Sequence, residues 1–178
     1  MHYRATIPEV DMAASSVRWS WQAILRPDGP PAVICVRLSV GLVFLGEGIQ
    51  KFLYPHQLGP GRFDKIGIPA PTFFADLDGV VEIVCGTLII IGLLTRLAAV
   101  PLLIDISLAI ILTKLRELRP GGFSGVQGFW GMAHDARTDL SMLLGLIFLL
   151  WAGPGRWSLD ARLVANSTPV GQENARAA

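Results

Sequence analysis

Apolar residues along this chain fall into four long runs and do not alternate with polar ones. The runs cover about residues 32–53, 72–94, 97–115 and 137–153. Each is close to the ~20 residues that an α-helix needs to cross the ~30 Å hydrocarbon core of a bilayer. The period-two pattern of a half-buried β-strand is missing from them. The pattern therefore predicts four transmembrane helices.

The segments between the runs predict how these helices are connected. Only Thr95 and Arg96 separate the second run from the third, which favours a tight antiparallel hairpin. Proline and glycine end the first run in "PHQLGPGRFDKIGIPAP" and the fourth in "GPGRWSLD", as is typical of segments that break a helix. We therefore predict an all-α integral membrane protein, an antiparallel four-helix bundle with both termini on the same side.

Composition supports a membrane protein and excludes a nucleic-acid-binding one. Hydrophobic residues make up 52% of the chain and charged residues 16%, against about 25% charged residues in a typical soluble domain. The net charge is +1 and no basic stripe is present, so we expect no nucleic-acid partner. Lysines and arginines divide evenly between the two predicted faces, so the positive-inside rule leaves the orientation open.

The chain divides into three predicted regions around the bundle. Residues 1–31 form an N-terminal extension, in which Trp21 and its apolar neighbours favour a short interfacial helix; a partly ordered tail is the alternative. Residues 32–160 form the four-helix transmembrane domain. Residues 161–178 are polar and small and are predicted to be a disordered tail.

Charged residues within the apolar runs share helix faces. At about 100° per residue, Arg37, Glu47 and Lys51 fall within an arc of roughly 80° on the first helix. Asp78, Glu82 and Cys85 lie within about 60° of one another on the second helix. Charges at membrane depth usually face a bundle interior or a wet cavity. These faces are therefore predicted to point inward.

Counting residues from the ends of the runs places most of these charges at one end of the bundle. Glu47 and Asp78 are predicted to lie at the same depth, and Glu82 and Asp105 nearer the midplane, whereas Arg37 lies toward the other side. Four more residues are predicted to lie at the same end, nearer the membrane surface: Lys51, Lys114, Asp139 and the loop residue His134. This polar cluster either only pairs its members and fixes helix order, or serves a proton or substrate path.

Motifs for a bound cofactor are missing from the sequence. Cys35 and Cys85 form no Cys-x-x-Cys pair, and no histidine lies inside an apolar run, which disfavours a haem held between two helices. No zinc motif, nucleotide loop or catalytic triad is recognisable. We predict no metal and no covalently bound cofactor, so that any redox role must use a borrowed electron carrier.

The residues resemble the DoxX family, including its DoxD-type subunits, of small four-helix bacterial membrane proteins. The likeness runs from about Val36 to Asp160 and depends on several pieces in order. They are Arg37 followed by "GLVFLGEGIQKF", then "GIPAP", "GVVEIVCGTLIIIGLLTR" and "GPGRWSLD". The long N-terminal extension and the glycine-rich third loop depart from the shorter family pattern.

The resemblance implies a multi-pass protein of the bacterial inner membrane that works with a redox partner. DoxD-type members are subunits of thiosulfate:quinone oxidoreductase, and other relatives belong to membrane-associated oxidoreductase complexes or assist the maturation of periplasmic dehydrogenases. By their positions in the family pattern, the resemblance implies functional or structural roles for four residues: Arg37, Lys51, Glu82 and Arg96.

We therefore predict a membrane subunit of a quinone-linked oxidoreductase that anchors a partner subunit and contacts lipid. Glu82 and Lys51 are the catalytic candidates, with Glu82 as proton acceptor, and Arg96 is a structural candidate. The predicted quinone-binding residues are Arg37, Glu47, Lys51, Asp78, Asp105, His134 and Asp139. A non-enzymatic anchor or assembly factor is the main alternative, and a small-molecule or proton-coupled carrier is a third. The sequence also allows a homo-oligomer.

Overall fold

The computed structural model describes residues 29–114 and 128–166, and this part of the chain is helical without a β-strand. The helices are α1 Val33–Leu53, α2 Pro60–Ile66, α3 Pro71–Ile91, α4 Thr95–Ala109, α5 Phe129–Asp135, α6 Arg137–Ala152 and α7 Leu159–Asn166. A π-helical turn, Ile110–Lys114, continues α4. The predicted all-helical class is confirmed. The predicted interfacial helix and residues 167–178 of the predicted C-terminal tail lie outside the described residues. Residues 161–166, predicted to be part of the disordered tail, belong to α7.

Within the described residues, two helical segments are long and apolar enough to cross a membrane, Val33–Leu53 and Thr95–Lys114. Helix α3 has 21 residues but carries Asp76, Asp78 and Glu82. Helix α6 has 16 residues, which at ~1.5 Å each fall short of ~30 Å of hydrocarbon. For these two helices, membrane crossing stays a prediction from their position in the predicted apolar runs.

Large apolar side chains are exposed on all four long helices. Examples are Leu42 on α1, Phe73 on α3, Ile104 on α4 and Leu144 on α6, each more than half exposed. Exposed apolar surface of this extent is typical of proteins that contact other apolar phases, such as lipid. The outer surface of the helices is therefore suited to a bilayer.

The four long helices pack in a closed order around an apolar core. Helix α1 packs against α3 and α6, and α4 packs against the same two helices. The core contains Val40, Phe44, Ile89, Leu102, Leu146 and Leu149, all almost fully buried. Each long helix therefore contacts two of the other three.

Glycines bring α1 and α3 into backbone contact. A Cβ on Gly48 would lie 2.7 Å from the carbonyl oxygen of Gly79, and a Cβ on Gly86 would lie 3.0 Å from that of Gly41. Each helix thus has two glycines seven residues apart that face the other helix. Small residues of this kind let helices approach closely in membranes. This approach places the end of α1 beside the beginning of α3.

Arg37 ties α1 to the end of α3 and to the segment after α6. Its Nε donates to the carbonyl oxygen of Ile89 (2.9 Å) and its Nη2 to that of Ile90 (2.6 Å). Its Nη1 donates to the carbonyl oxygens of Pro154 (3.1 Å) and Trp157 (2.7 Å). The last carbonyls of a helix have no partner within it, so Arg37 supplies donors to both chain segments while remaining 2% exposed.

Asp160 completes this end of the molecule. Its carboxylate accepts hydrogen bonds from the backbone N–H groups of Leu94 (2.9 Å) and Thr95 (3.3 Å), and its own N–H donates to the carbonyl oxygen of Gly92 (3.0 Å). The first N–H groups of α4 are thereby capped. Gly92 has φ +72°, and a Cβ there would lie 2.4 Å from Nη2 of Arg37. The turn between α3 and α4 is thus held by the segment that follows α6.

Arg96 contributes to the same end. Its Nε donates to the carbonyl oxygen of Leu150 (3.2 Å) and its Nη2 to that of Trp151 (3.4 Å). These are carbonyls of the last turn of α6. The structure therefore places Arg96 where it links α4 to α6.

We expect Gly48→Ala to destabilise the protein, because its new Cβ would press against the backbone of α3. Overpacking costs about 1–3 kcal/mol. Gly46→Ala is the matched control, since a Cβ there would meet nothing closer than Gln50 Nε2 at 3.8 Å. Thermal unfolding in detergent should show a lower midpoint for Gly48→Ala and an unchanged or higher one for Gly46→Ala. Equal midpoints would show that close α1–α3 packing does not limit stability.

We expect Arg37→Met to lower stability by at least about 3 kcal/mol, because each buried carbonyl that loses its donor costs about 1–3 kcal/mol. Arg156→Met is the control, since Arg156 is exposed in the segment after α6. Unfolding in denaturant, followed by tryptophan fluorescence, measures the difference between them. A similar loss of unfolding free energy in both variants would contradict a stabilising role for the hydrogen bonds of Arg37.

Candidate functional site

A cavity of about 680 Å³ lies at the end of the molecule opposite Arg37. It lies where α1 ends, α3 begins and α4 passes into its π-helical turn; such turns are frequent at functional sites. Its polar lining includes Glu47, Lys51, Asp78, Glu82, Asp105, Lys114 and Asp139. Its apolar lining includes Val43, Phe44, Phe63, Phe74, Leu77 and Ile104. Charges from four helices thus meet in one space with apolar walls.

Lys51 forms the centre of the polar cluster. Its Nζ donates to Oε2 of Glu82 (2.6 Å) and to Oδ2 of Asp78. The side chains of Lys51 and Glu82 are 11% and 5% exposed. Lys51 therefore pairs across the glycine contact with α3. Glu47, one turn earlier on α1, is exposed while lining the same cavity.

Asp105 brings a third carboxyl group to this cluster from α4. Carboxylate oxygens of Asp78, Glu82 and Asp105 all lie within 4.8 Å of one another. One ammonium faces three carboxyl groups, and Coulomb interactions are strong where water is excluded. The carboxyl groups therefore outnumber the ammonium, an arrangement that favours an added positive charge, as a proton or as a cation.

A second ion pair forms another part of the cavity wall. Nζ of Lys114, at the end of the π-helical turn, lies 3.4 Å from Oδ2 of Asp139 in the first turn of α6. Both side chains are about one-fifth exposed. A carboxylate in the first turn of a helix is favourably placed in the helix dipole. This pair connects α4 to α6 beside the cluster.

Two predicted binding residues lie apart from this cluster. Arg37 precedes Lys51 by 14 residues on α1, about 21 Å along the helix. His134 is exposed and does not line the cavity, and its carbonyl oxygen accepts a hydrogen bond from Nη1 of Arg137. The structure thus brings together Glu47, Lys51, Asp78, Glu82, Asp105 and Asp139 and leaves Arg37 and His134 outside.

Helix α2 contributes residues that sequence reasoning treated as part of a loop. Arg62 and Phe63 line the cavity, and the Phe63 ring centroid lies 6.0 Å from Nζ of Lys51. A cation above an aromatic face at this distance is attracted to it. Pro60 at the start of α2 and Gly67 just after it are a recognisable signal for a short helix.

The comparisons with known proteins agree with the resemblance found in the sequence. Residues 32–115 match the DoxX family model. Over 152 residues the chain is 76% identical to the "Uncharacterized membrane protein Rv3486" of Mycobacterium tuberculosis, covering 85% of this chain and 93% of that protein. No solved structure matches. The cluster residues Lys51, Asp78, Glu82 and Asp105 all fall within the matched segment, and the chain is a membrane protein that belongs to the DoxX family.

Proposed function

We propose that this protein is the membrane subunit of a quinone-linked oxidoreductase complex, crossing the bacterial inner membrane four times and anchoring a partner subunit. A quinone headgroup binds in the cavity beside Lys51. The family resemblance supports the redox partner, and the cavity supports the quinone. The electron carrier belongs to the partner.

The observation that carries this proposal is the meeting of the Lys51 cluster with apolar walls in one cavity. Small-molecule sites are typically clefts of about 300–1,000 Å³, mostly apolar, with a few convergent polar groups. The cavity has this size and composition, with Phe44, Phe63 and Phe74 beside Lys51 and Glu82. A planar head with two carbonyl oxygens fits such a lining.

Lys51 and the carboxyl groups can divide the work of holding the head and exchanging protons. An ammonium has three N–H donors, and Asp78 and Glu82 take two of those of Lys51. The third is available to a quinone oxygen. Glu82 and Asp105 lie beside it and can supply or accept the protons that accompany reduction and oxidation of the head.

A non-enzymatic anchor or assembly factor is the second candidate, and the ion pairs favour it. Lys51 joins α1 to α3, and the Lys114–Asp139 pair joins α4 to α6. These contacts alone can fix the order of the helices. In that case the cluster holds the fold that a partner recognises.

We expect Lys51→Ala to lower quinone affinity at least tenfold, because a hydrogen bond to a charged group contributes about 1.5–3 kcal/mol. We expect Glu82→Gln to lower quinone-linked turnover, because an amide cannot accept the proton that the carboxylate would take. The matched controls are Lys65→Ala on α2 and Asp76→Asn on α3, since both side chains are exposed and line no part of the cavity. Decylubiquinone binding to protein in nanodiscs, and quinone reduction in native membranes, are the measurements.

Assembly is measured on the same samples by quantifying the proteins that co-purify with each variant. Weaker quinone binding with the complex intact supports the redox role. If the wild-type protein binds no quinone and the variants lose their partner, the redox role is contradicted and the role of anchor or assembly factor is supported.

A further inference from the structure

We infer that the cavity opens sideways into the bilayer between α3 and α4, and that its ligand is an amphiphile whose single apolar tail lies in this opening. The inference rests on the proposed function and names the class of molecule that the same site takes. A tailed quinone enters head first from the lipid, and a water-soluble head without a tail binds more weakly.

Exposure of the cavity lining locates the opening. Among the described residues, the large apolar side chains that both line the cavity and are exposed all come from α3, α4 and the π-helical turn that continues α4. They are Phe74, Leu77, Ile104, Leu108 and Leu112, each 40–57% exposed. The lining from α1 and α6 includes Phe44 and Met142, which are 2% and 7% exposed. The apolar part of the wall is therefore buried on the α1–α6 side, where exposed lining residues include the polar Glu47 and Thr138, and it is exposed on α3 and α4.

The exposed residues on the two helices lie at matching depths. Leu93 lies in the turn between α3 and α4 and serves as the reference for depth. Phe74 is 19 residues before Leu93, and Leu112 is 19 residues after Leu93. Leu77 and Leu108 lie 16 and 15 residues from the same point. Because α3 and α4 are antiparallel helices joined at this turn, equal counts correspond to similar depths. The two sets form the opposite edges of one opening.

The polar cluster lies one residue away from these edges. Asp78 follows Leu77, and Asp105 follows Ile104. Successive residues of a helix are turned by about 100°, so the apolar residue faces lipid while its neighbour faces Lys51 and Glu82. A head held by the cluster therefore leaves its tail against Leu77 and Ile104.

Packing of the remaining helices favours an opening at this position. Helix α3 is held against α1 by the glycine contacts, and α4 is joined to α6 by the Lys114–Asp139 pair. The turn that connects α3 and α4 lies at the far end, where Asp160 caps it. Pro101 in α4 also lines the cavity and lacks a backbone N–H. At the end where the cavity lies, α3 is therefore held by α1 and α4 is held by α6.

Photo-crosslinking tests the position of the tail. The probe is a dimethoxy-methyl-benzoquinone with a decyl tail that ends in a diazirine, added to the full-length protein in nanodiscs. We expect adducts on residues 74–77 and 104–112 that excess decylubiquinone removes. Adducts spread over the lipid-facing residues Leu42 of α1 and Leu144 of α6, or insensitive to the competitor, would overturn the opening.

Substitution at the opening supplies a second test. We expect Ile104→Trp to weaken binding of decylubiquinone at least fivefold and to change binding of the same head without a tail less than twofold. Val100→Trp is the matched control, since Val100 is similarly exposed on α4 but does not line the cavity. Equal effects of Ile104→Trp on the two ligands would contradict a tail at this position.

The two tests separate this inference from the proposed function. Competed labelling on α3 and α4 together with a tail-specific loss in Ile104→Trp supports both. If the quinone binds tightly and excess decylubiquinone displaces it, but the probe labels residues outside α3 and α4, the lateral opening is contradicted and the quinone site is still supported. Failure of the wild-type protein to bind either ligand overturns both.

Discussion

The close approach of α1 and α3 is the constraint on which the rest of the structure depends. Gly48 and Gly79 let the two backbones meet, and this contact places Lys51 within reach of Asp78 and Glu82. Larger residues at the glycines would move the ammonium away from two carboxylates in surroundings of low dielectric, where unpaired charges are costly. The Lys51 ion pairs therefore depend on the close packing of α1 against α3.

The two ends of the molecule use their charges in different ways. At one end, the Arg37 guanidinium is surrounded by backbone carbonyl oxygens and the Asp160 carboxylate by backbone N–H groups. These partners are backbone groups, so this end joins the helices through hydrogen bonds to the main chain. At the other end, carboxyl groups outnumber the ammonium of Lys51 and border a cavity. That end can change its charge or bind a ligand while the first end keeps the helices in place.

Periodicity and depth predict much of this arrangement from the sequence, and backbone partners explain what they miss. Apolar runs locate the long helices, and residue counts place Glu47 level with Asp78, Lys51 nearer the membrane surface, and Glu82 and Asp105 nearer the midplane at the same end. Arg37 is the exception, because residue counts place it toward the other side whereas the family resemblance adds it to the predicted quinone-binding residues. Its partners are carbonyl oxygens, including that of Trp157, 120 residues away. Side-chain patterns cannot reveal such partners, since every residue has a carbonyl group.

The distribution of polar contacts favours function at the Lys51 cluster. Buried ion pairs are weak stabilisers, because desolvation offsets most of their attraction. The glycine contacts and the Arg37 and Asp160 hydrogen bonds already fix α1 against α3 and the α3–α4 turn against the segment after α6. Asp105 brings a third carboxyl group to a cluster in which Lys51 already pairs with Asp78 and Glu82. The position of this carboxyl group beside the cavity is consistent with the proposed site, in which it would exchange a proton with a bound quinone.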